Sequence, residues 1–122
     1  MKNRPLYLSI WQELSAGKNM IFLVGPRQAG KTTLAELISR AFANRLYFNW
    51  DIFEDRTRFL ENPSFFTELE RRDASTPLIV LDEIHKYKEW KNYLKGVYDR
   101  FHGEFKFLVS GSGRMDLYQR GS

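Results

Sequence analysis

The sequence predicts an α/β fold in which helices cover both faces of a parallel β-sheet, giving three layers. Short apolar runs alternate with amphipathic helix-forming segments along the chain, and this alternation is typical of βαβ units. The run over residues 78–81 contains only Leu, Ile and Val, which indicates a strand covered on both faces. No internal repeat or low-complexity linker divides the chain, so we expect one domain over residues 1–122.

Each element follows from its local pattern. An amphipathic lead-in helix is expected at residues 6–15, where Gln12 and Glu13 interrupt the apolar positions before a signal peptide or membrane span could develop. The pattern then predicts a strand at 20–24, a helix at 31–43, a strand at 46–50, a helical region at 53–73 broken near Pro63, a strand at 77–82, a helix at 88–102 and a strand at 105–110. Around the start of the helix at 88–102, Tyr87, Trp90 and Leu94 recur at helical spacing, which favours a buried stripe over a surface that contacts polyanions or a partner.

Residues 25–32 carry the most informative motif, Gly-Pro-Arg-Gln-Ala-Gly-Lys-Thr, placed between an apolar run and a helix-forming segment. This pattern in this context is typical of a phosphate-binding loop rather than a plain glycine turn. The glycines let backbone N–H groups approach phosphate oxygens, Lys31 would reach the β and γ phosphates, and Thr32 would offer its hydroxyl to Mg²⁺. The predicted nucleotide-binding residues are Gly25, Pro26, Arg27, Gln28, Ala29, Gly30, Lys31, Thr32 and Thr33.

A second motif is the pair of acids, Asp82 and Glu83, that ends the apolar run at 77–82. Ligands of parallel sheets bind at the carboxyl ends of the strands. We therefore expect Asp82 to hold Mg²⁺ through water and Glu83 to polarise the water that attacks the γ-phosphate. The alternative is that the acids only begin the next helix, where negative charge interacts favourably with the helix dipole. The phosphate loop favours the catalytic interpretation, because phosphate-binding and metal-binding residues act in one mechanism.

The last predicted strand ends in small polar residues, Ser110, Gly111 and Ser112. Either serine could hydrogen-bond the attacking water or the phosphate, whereas an ordinary loop is the alternative interpretation of such a cluster. The candidate catalytic residues are thus Lys31, Glu83 and Ser110. His85 is expected to pack or hydrogen-bond near the acids, with sensing of the γ-phosphate as the alternative.

Three segments together resemble one family of AAA-type ATPases from archaea and bacteria. They are Gly-Pro-Arg-Gln-Ala-Gly-Lys-Thr-Thr-Leu, then Leu-Asp-Glu-Ile-His-Lys followed by Trp90 and Leu94, and Leu-Val-Ser-Gly-Ser. The resemblance covers most of the chain from residue 4 to 122. It implies that Lys31 and Thr32 bind nucleotide and magnesium, that Asp82 and Glu83 form the second acidic motif, and that Ser110 lies on the sensor strand.

The same resemblance implies a P-loop NTPase core of the additional-strand, RecA- or AAA-like type. Together with the right-handedness of parallel crossovers, it predicts that the 105–110 strand lies between the 20–24 and 77–82 strands, with the 46–50 strand at an edge. Members of the family continue into the rest of the ATPase core and a carboxyl-terminal domain of unknown function. We therefore expect this chain to be a truncated, amino-terminal portion of such a protein.

Composition narrows the function further. The chain has 122 residues and no cysteine, which excludes disulfides and thiolate metal sites and fits a cytoplasmic protein. A net charge of +4 is a mild excess that supports nucleic acid as a partner only weakly. Aromatic residues make up 16% of the chain, ten of them Phe; an aromatic core explains them, and an exposed apolar edge that favours self-association is the alternative.

The sequence therefore predicts an ATPase that uses ATP and Mg²⁺ and releases ADP and phosphate, slowly as an isolated chain. Arg114 and Arg120 match no arginine-finger motif, and an arginine finger contributes about a thousandfold or more in rate. The alternative is a nucleotide-gated binding module with little turnover, acting on nucleic acid. A kinase is disfavoured because no glycine-hinged lid is evident, and GTP is disfavoured because no Asn-Lys-x-Asp motif occurs.

Overall fold

The computed structural model describes residues 19–24 and 30–111. Its four strands are β1 (Met20–Val24), β2 (Arg45–Asn49), β3 (Leu78–Asp82) and β4 (Lys106–Gly111). Its helices are α1 (Lys31–Ser39), α2 (Phe53–Glu61) and α3 (Trp90–Phe101), with short 3₁₀ turns at Phe65–Glu68 and Ile84–Lys86. None of the helices in these ranges has the length and apolar character that crossing a membrane requires.

The strands form one parallel sheet in the order β1-β4-β3-β2. This order confirms the prediction that the last strand lies between the first strand and the acid-bearing strand, with β2 at an edge. The register pairs Asp82 of β3 with Ser110 of β4 on one side and with Asn49 of β2 on the other. Since all four strands are parallel, their carboxyl ends meet at one edge of the sheet.

Side-chain alternation in β3 divides the core between the two faces of the sheet. Leu78 and Val80 pack with α1, and Ile79 and Leu81 pack on the opposite face with α2 and α3. The predicted three-layer α/β/α architecture is therefore confirmed. The domain that these layers form is small.

The face covered by α2 and α3 is mainly aromatic. Its fully buried rings include Phe48, Phe59, Phe65, Phe66 and Phe107. Trp90 and Leu94 of α3 are also buried here, as the helical spacing predicted. The core thus accounts for most of the phenylalanines among the described residues, and the exposed Phe53 on α2 is an exception.

Helix boundaries differ from the predictions at two places. The helix predicted at 31–43 ends at Ser39, and the N–H groups of Ala41 and Phe42 then bond to carbonyls three residues back. The helical region predicted at 53–73 ends at residue 61, and only one 3₁₀ turn follows it. The second ending falls at the predicted break near Pro63, and the predicted lead-in helix at 6–15 lies outside the described residues.

Asn44 holds the loop at residues 72–75, at the end of the second predicted segment. Its side chain is 1% exposed, and its amide donates hydrogen bonds to the backbone oxygens of Asp73 and Ser75 while its oxygen accepts one from the backbone N–H of Arg72 at 2.6 Å. The amide satisfies loop backbone groups that a helix would have paired internally. This long-range contact therefore stabilises residues 72–75 as a loop.

Candidate nucleotide-binding site

The site predicted from the sequence lies at the carboxyl edge of the sheet. Residues 25–29 of the predicted phosphate loop are outside the described residues, and the description resumes at Gly30 before α1. Gly30 has φ of 78°, in the left-handed region that glycine adopts without steric cost. Because Gly30 provides no side-chain cap, the first turn of α1 begins without the side-chain oxygen that caps many helices.

Lys31 is the first residue of α1 and is 7% exposed. Its ammonium group donates a hydrogen bond to the backbone oxygen of Gly111, the last residue of β4. A buried ammonium group needs such a partner. Lys31 is thus held at the carboxyl end of the strand between β1 and β3.

Asp82, the last residue of β3, is 2% exposed and accepts hydrogen bonds from three hydroxyl groups. Ser110 of β4 donates to Oδ1. Thr32 of α1 donates to Oδ2 at 3.1 Å, and Tyr47 of β2 donates to the same oxygen at 2.6 Å. A buried carboxylate is costly unless it is hydrogen-bonded, and these donors from three different elements satisfy it.

Sequence reasoning missed Tyr47. Burial, the hydrogen bond to Asp82 and the negative charge of that carboxylate, in that order, raise the pKa of the Tyr47 phenol well above its usual range. A signal was available, since Tyr47 pairs with Val80 in the register and alternation puts it on the α1 face with Asp82. That signal can be used only when β2 is known to lie beside β3.

Glu83 has surroundings unlike those of its neighbour Asp82. It is the only non-glycine residue with positive φ among the described residues, at φ 61° and ψ 25°. Its backbone N–H donates to the oxygen of Ser110 at 2.8 Å, and its carboxylate Oε2 lies 3.4 Å from Nδ1 of His85. Left-handed backbone costs a non-glycine residue about 1–2 kcal/mol, so the turn holds Glu83 in this conformation at an energetic cost.

The structure therefore brings together Thr32, Asp82 and Ser110, with Lys31 held at the neighbouring Gly111. Glu83 follows directly in the chain. His102 lies apart from them, at the end of α3, where its Nδ1 is 2.8 Å from the Tyr98 oxygen. Within the described ranges, no group of three His, Cys, Asp or Glu side chains is arranged to hold a metal ion.

Ser112, Arg114 and Arg120 lie outside the described residues, as do Gly25, Pro26, Arg27, Gln28 and Ala29. Thr33, the last of the predicted nucleotide-binding residues, is exposed in the first turn of α1.

Comparison with known proteins found one family and two relatives that match the chain. A family described as an AAA domain matches residues 17–122. Two uncharacterised proteins, one from Mycobacterium tuberculosis and one from Mycobacterium bovis, are each 32% identical over 98 residues, which is 80% of this chain. The matched segment spans only 21% of the length of each relative.

Proposed function

The chain belongs to the AAA-domain family, and from that premise we propose that it binds ATP with Mg²⁺ and hydrolyses it to ADP and phosphate. Membership of the family implies a nucleotide-binding, ATPase-like function. The observation that carries the finer proposal is the hydrogen bond between Thr32 and Asp82, which are 50 residues apart, at 3.1 Å. These are the two residues that the motifs assign to the metal.

The chemistry of these two side chains fits Mg²⁺. Proteins hold Mg²⁺ in nucleotide sites through one or two carboxylates together with phosphate oxygens and water. The Thr32 hydroxyl donates a hydrogen bond to Asp82 and keeps its oxygen lone pairs for a metal. When bound, Mg²⁺ would neutralise charge that develops on the phosphates.

Lys31 would bind the β and γ phosphates. Its ammonium group contacts Gly111, so it would exchange one backbone oxygen for phosphate oxygens. A hydrogen bond between charged partners is about twice as strong as a neutral one, which favours this exchange.

Glu83 would act as the general base. It would accept a proton from a water molecule while the water oxygen forms a bond to the γ-phosphorus and the bond to the β–γ bridging oxygen breaks, leaving ADP and phosphate. Because of the turn at Glu83, its carboxylate has different surroundings from the Asp82 carboxylate, which would bind the metal. Ser110 contributes by orienting Asp82, to which its hydroxyl donates.

The proposal is tested by titrating a fluorescent ATP analogue with and without Mg²⁺ and by measuring phosphate release at saturating Mg-ATP. Asp82→Asn should remove the Mg²⁺-dependent part of the affinity while the protein stays folded by circular dichroism. Asp99→Asn, an exposed position on α3, is the control for loss of one acid. Absence of Mg²⁺-dependent binding in the wild type, or equal Mg²⁺ dependence in Asp82→Asn, would refute the assignment.

A second candidate function is a nucleotide-gated binding module with little turnover, with nucleic acid as the partner. One observation favours it: among residues 19–24 and 30–111, the recorded arginine contacts are to backbone oxygens and aromatic rings, such as Arg45 to the Phe42 oxygen and Arg71 to the Phe105 ring. None of these contacts reaches Lys31 or Asp82. The same phosphate-release assay separates the two candidates, since the module would bind Mg-ATP and release almost no phosphate.

A further inference from the structure

The hydrogen bond from the Tyr47 hydroxyl to Asp82 Oδ2 is 2.6 Å long, shorter than the 3.1 Å bond from Thr32 to the same oxygen. Neither the phosphate loop nor the acidic motif contains this tyrosine. It comes from β2, which among the described strands lies at the edge of the sheet and pairs with β3. The site therefore includes a side chain from an element that the nucleotide motifs do not use.

The Tyr47 side chain is fixed by its surroundings. Its ring packs, partly buried, against the apolar cluster between the sheet and α1. Asn49 of the same strand pairs with Asp82 in the register, so the backbone of β2 is fixed relative to the carboxylate. A phenol held in this way can orient its hydrogen-bond partner.

Hydrogen-bond counting shows what this orientation does. An ionised carboxylate has about four acceptor positions, two on each oxygen. Ser110 uses one position on Oδ1, and Thr32 and Tyr47 use both positions on Oδ2. The remaining position is on Oδ1, where a metal-bound water could donate.

We infer that Tyr47 is a positioning residue that sets the affinity of the nucleotide site for Mg²⁺ by fixing the carboxylate of Asp82. The inference rests on the proposed function, because it concerns the metal of that same site. Removing the phenol oxygen frees an acceptor position on Oδ2 and lets the carboxylate rotate away from the orientation that leaves Oδ1 available. Residues that orient the groups around a bound metal typically contribute about 10- to 100-fold in metal affinity.

The test is a Mg²⁺ titration of ATP-analogue binding in Tyr47→Phe, which removes one oxygen and keeps the ring. We expect the Mg²⁺ concentration at half-maximal binding to rise by about tenfold or more, with the weak affinity in EDTA unchanged. If Tyr47 had only a structural role, Tyr47→Phe would instead weaken binding both with Mg²⁺ and in EDTA, or lower the melting temperature. Tyr93→Phe is the matched control, because that hydroxyl donates to the Pro63 oxygen at 2.7 Å and lies outside the proposed site.

The outcomes are separable. If the wild type shows no Mg²⁺-dependent binding, the proposed function and this inference both fail. If the wild type depends on Mg²⁺ and Tyr47→Phe has the same or a lower Mg²⁺ midpoint, the inference alone is overturned. An equal rise in Tyr93→Phe would also overturn it, because the effect would then not depend on contact with Asp82.

Discussion

Phe66 joins three parts of the aromatic core, and truncating it should cause a large loss of stability. Its ring is 0% exposed in the 3₁₀ turn that follows α2. It contacts Phe101 of α3 at a centroid distance of 5.1 Å, Phe105 at 5.2 Å and Phe107 of β4 at 5.4 Å, all with edge-to-face geometry. The turn, the last helix and the sheet are therefore held together through one side chain.

The expected cost of Phe66→Ala follows from this geometry. Replacing a buried Phe by Ala typically lowers the free energy of unfolding by about 3–5 kcal/mol. Edge-to-face pairs are each worth about 0.5–1.5 kcal/mol beyond the buried area. With several such pairs lost at once, we expect the upper part of that range, about 4–5 kcal/mol. Small domains have about 5–15 kcal/mol in total, so the variant would lose about a quarter or more of its stability.

Urea unfolding followed by circular dichroism measures this loss. Phe53→Ala is the matched control, because Phe53 is 67% exposed on α2 and the change should stay within about 0.5 kcal/mol. Phe66→Leu should fold more readily and lose about 1–2 kcal/mol, because less volume is removed. A loss below about 2 kcal/mol in Phe66→Ala, or an equal loss in Phe53→Ala, would refute the description of the core.

The remaining predictions concern the site and the response to pH. Lys31→Ala should weaken ATP binding by about 10- to 100-fold, because a charged hydrogen bond contributes about 1.5–3 kcal/mol; unchanged affinity in a folded variant would contradict the assignment. Glu83→Gln should keep Mg-ATP binding and lose about 100-fold or more in phosphate release, whereas Glu104→Gln, exposed before β4, should match the wild type. The chain alone should turn over below about one ATP per second, and a faster rate that is independent of protein concentration would show that no outside arginine is needed. Burial, and then the nearby Tyr87, raise the pKa of Tyr93. The neutral phenol therefore contributes its full stabilisation below a pH of about 10, and this stabilisation is lost as the pH rises further. Tyr93→Phe should flatten the fall in melting temperature between about pH 9 and 11.

The sequence predicted the strands and their order well, because four short apolar runs are bounded by turn residues and the motifs resemble a known family. It also placed Thr32 and Asp82 in one site, and the structure joins them by a hydrogen bond. Where predictions were incomplete, the cause is contact between distant residues. Asn44 holds residues 72–75 as a loop through bonds to residues 28 to 31 positions away.

Glu83 shows the same limit. No local preference would place a glutamate in left-handed backbone. Its conformation accompanies a bond from its N–H to Ser110 on the adjacent strand, which is known only when β3 and β4 are paired. Tyr47 likewise became a member of the site only through the pairing of β2 with β3.

The sheet order has a consequence for how the chain acquires its fold during synthesis. β4 is the last of the described strands to leave the ribosome, yet it lies between β1 and β3. Among the described strands, β1 has no neighbour until residue 111 has emerged, and β2 and β3 can pair only with each other. Lys31 and Asp82 are then also without Gly111 and Ser110. Pairing over such long sequence separations is slow, so we expect the nascent chain to expose the edges of β1 and β3 that face β4 until β4 inserts between them.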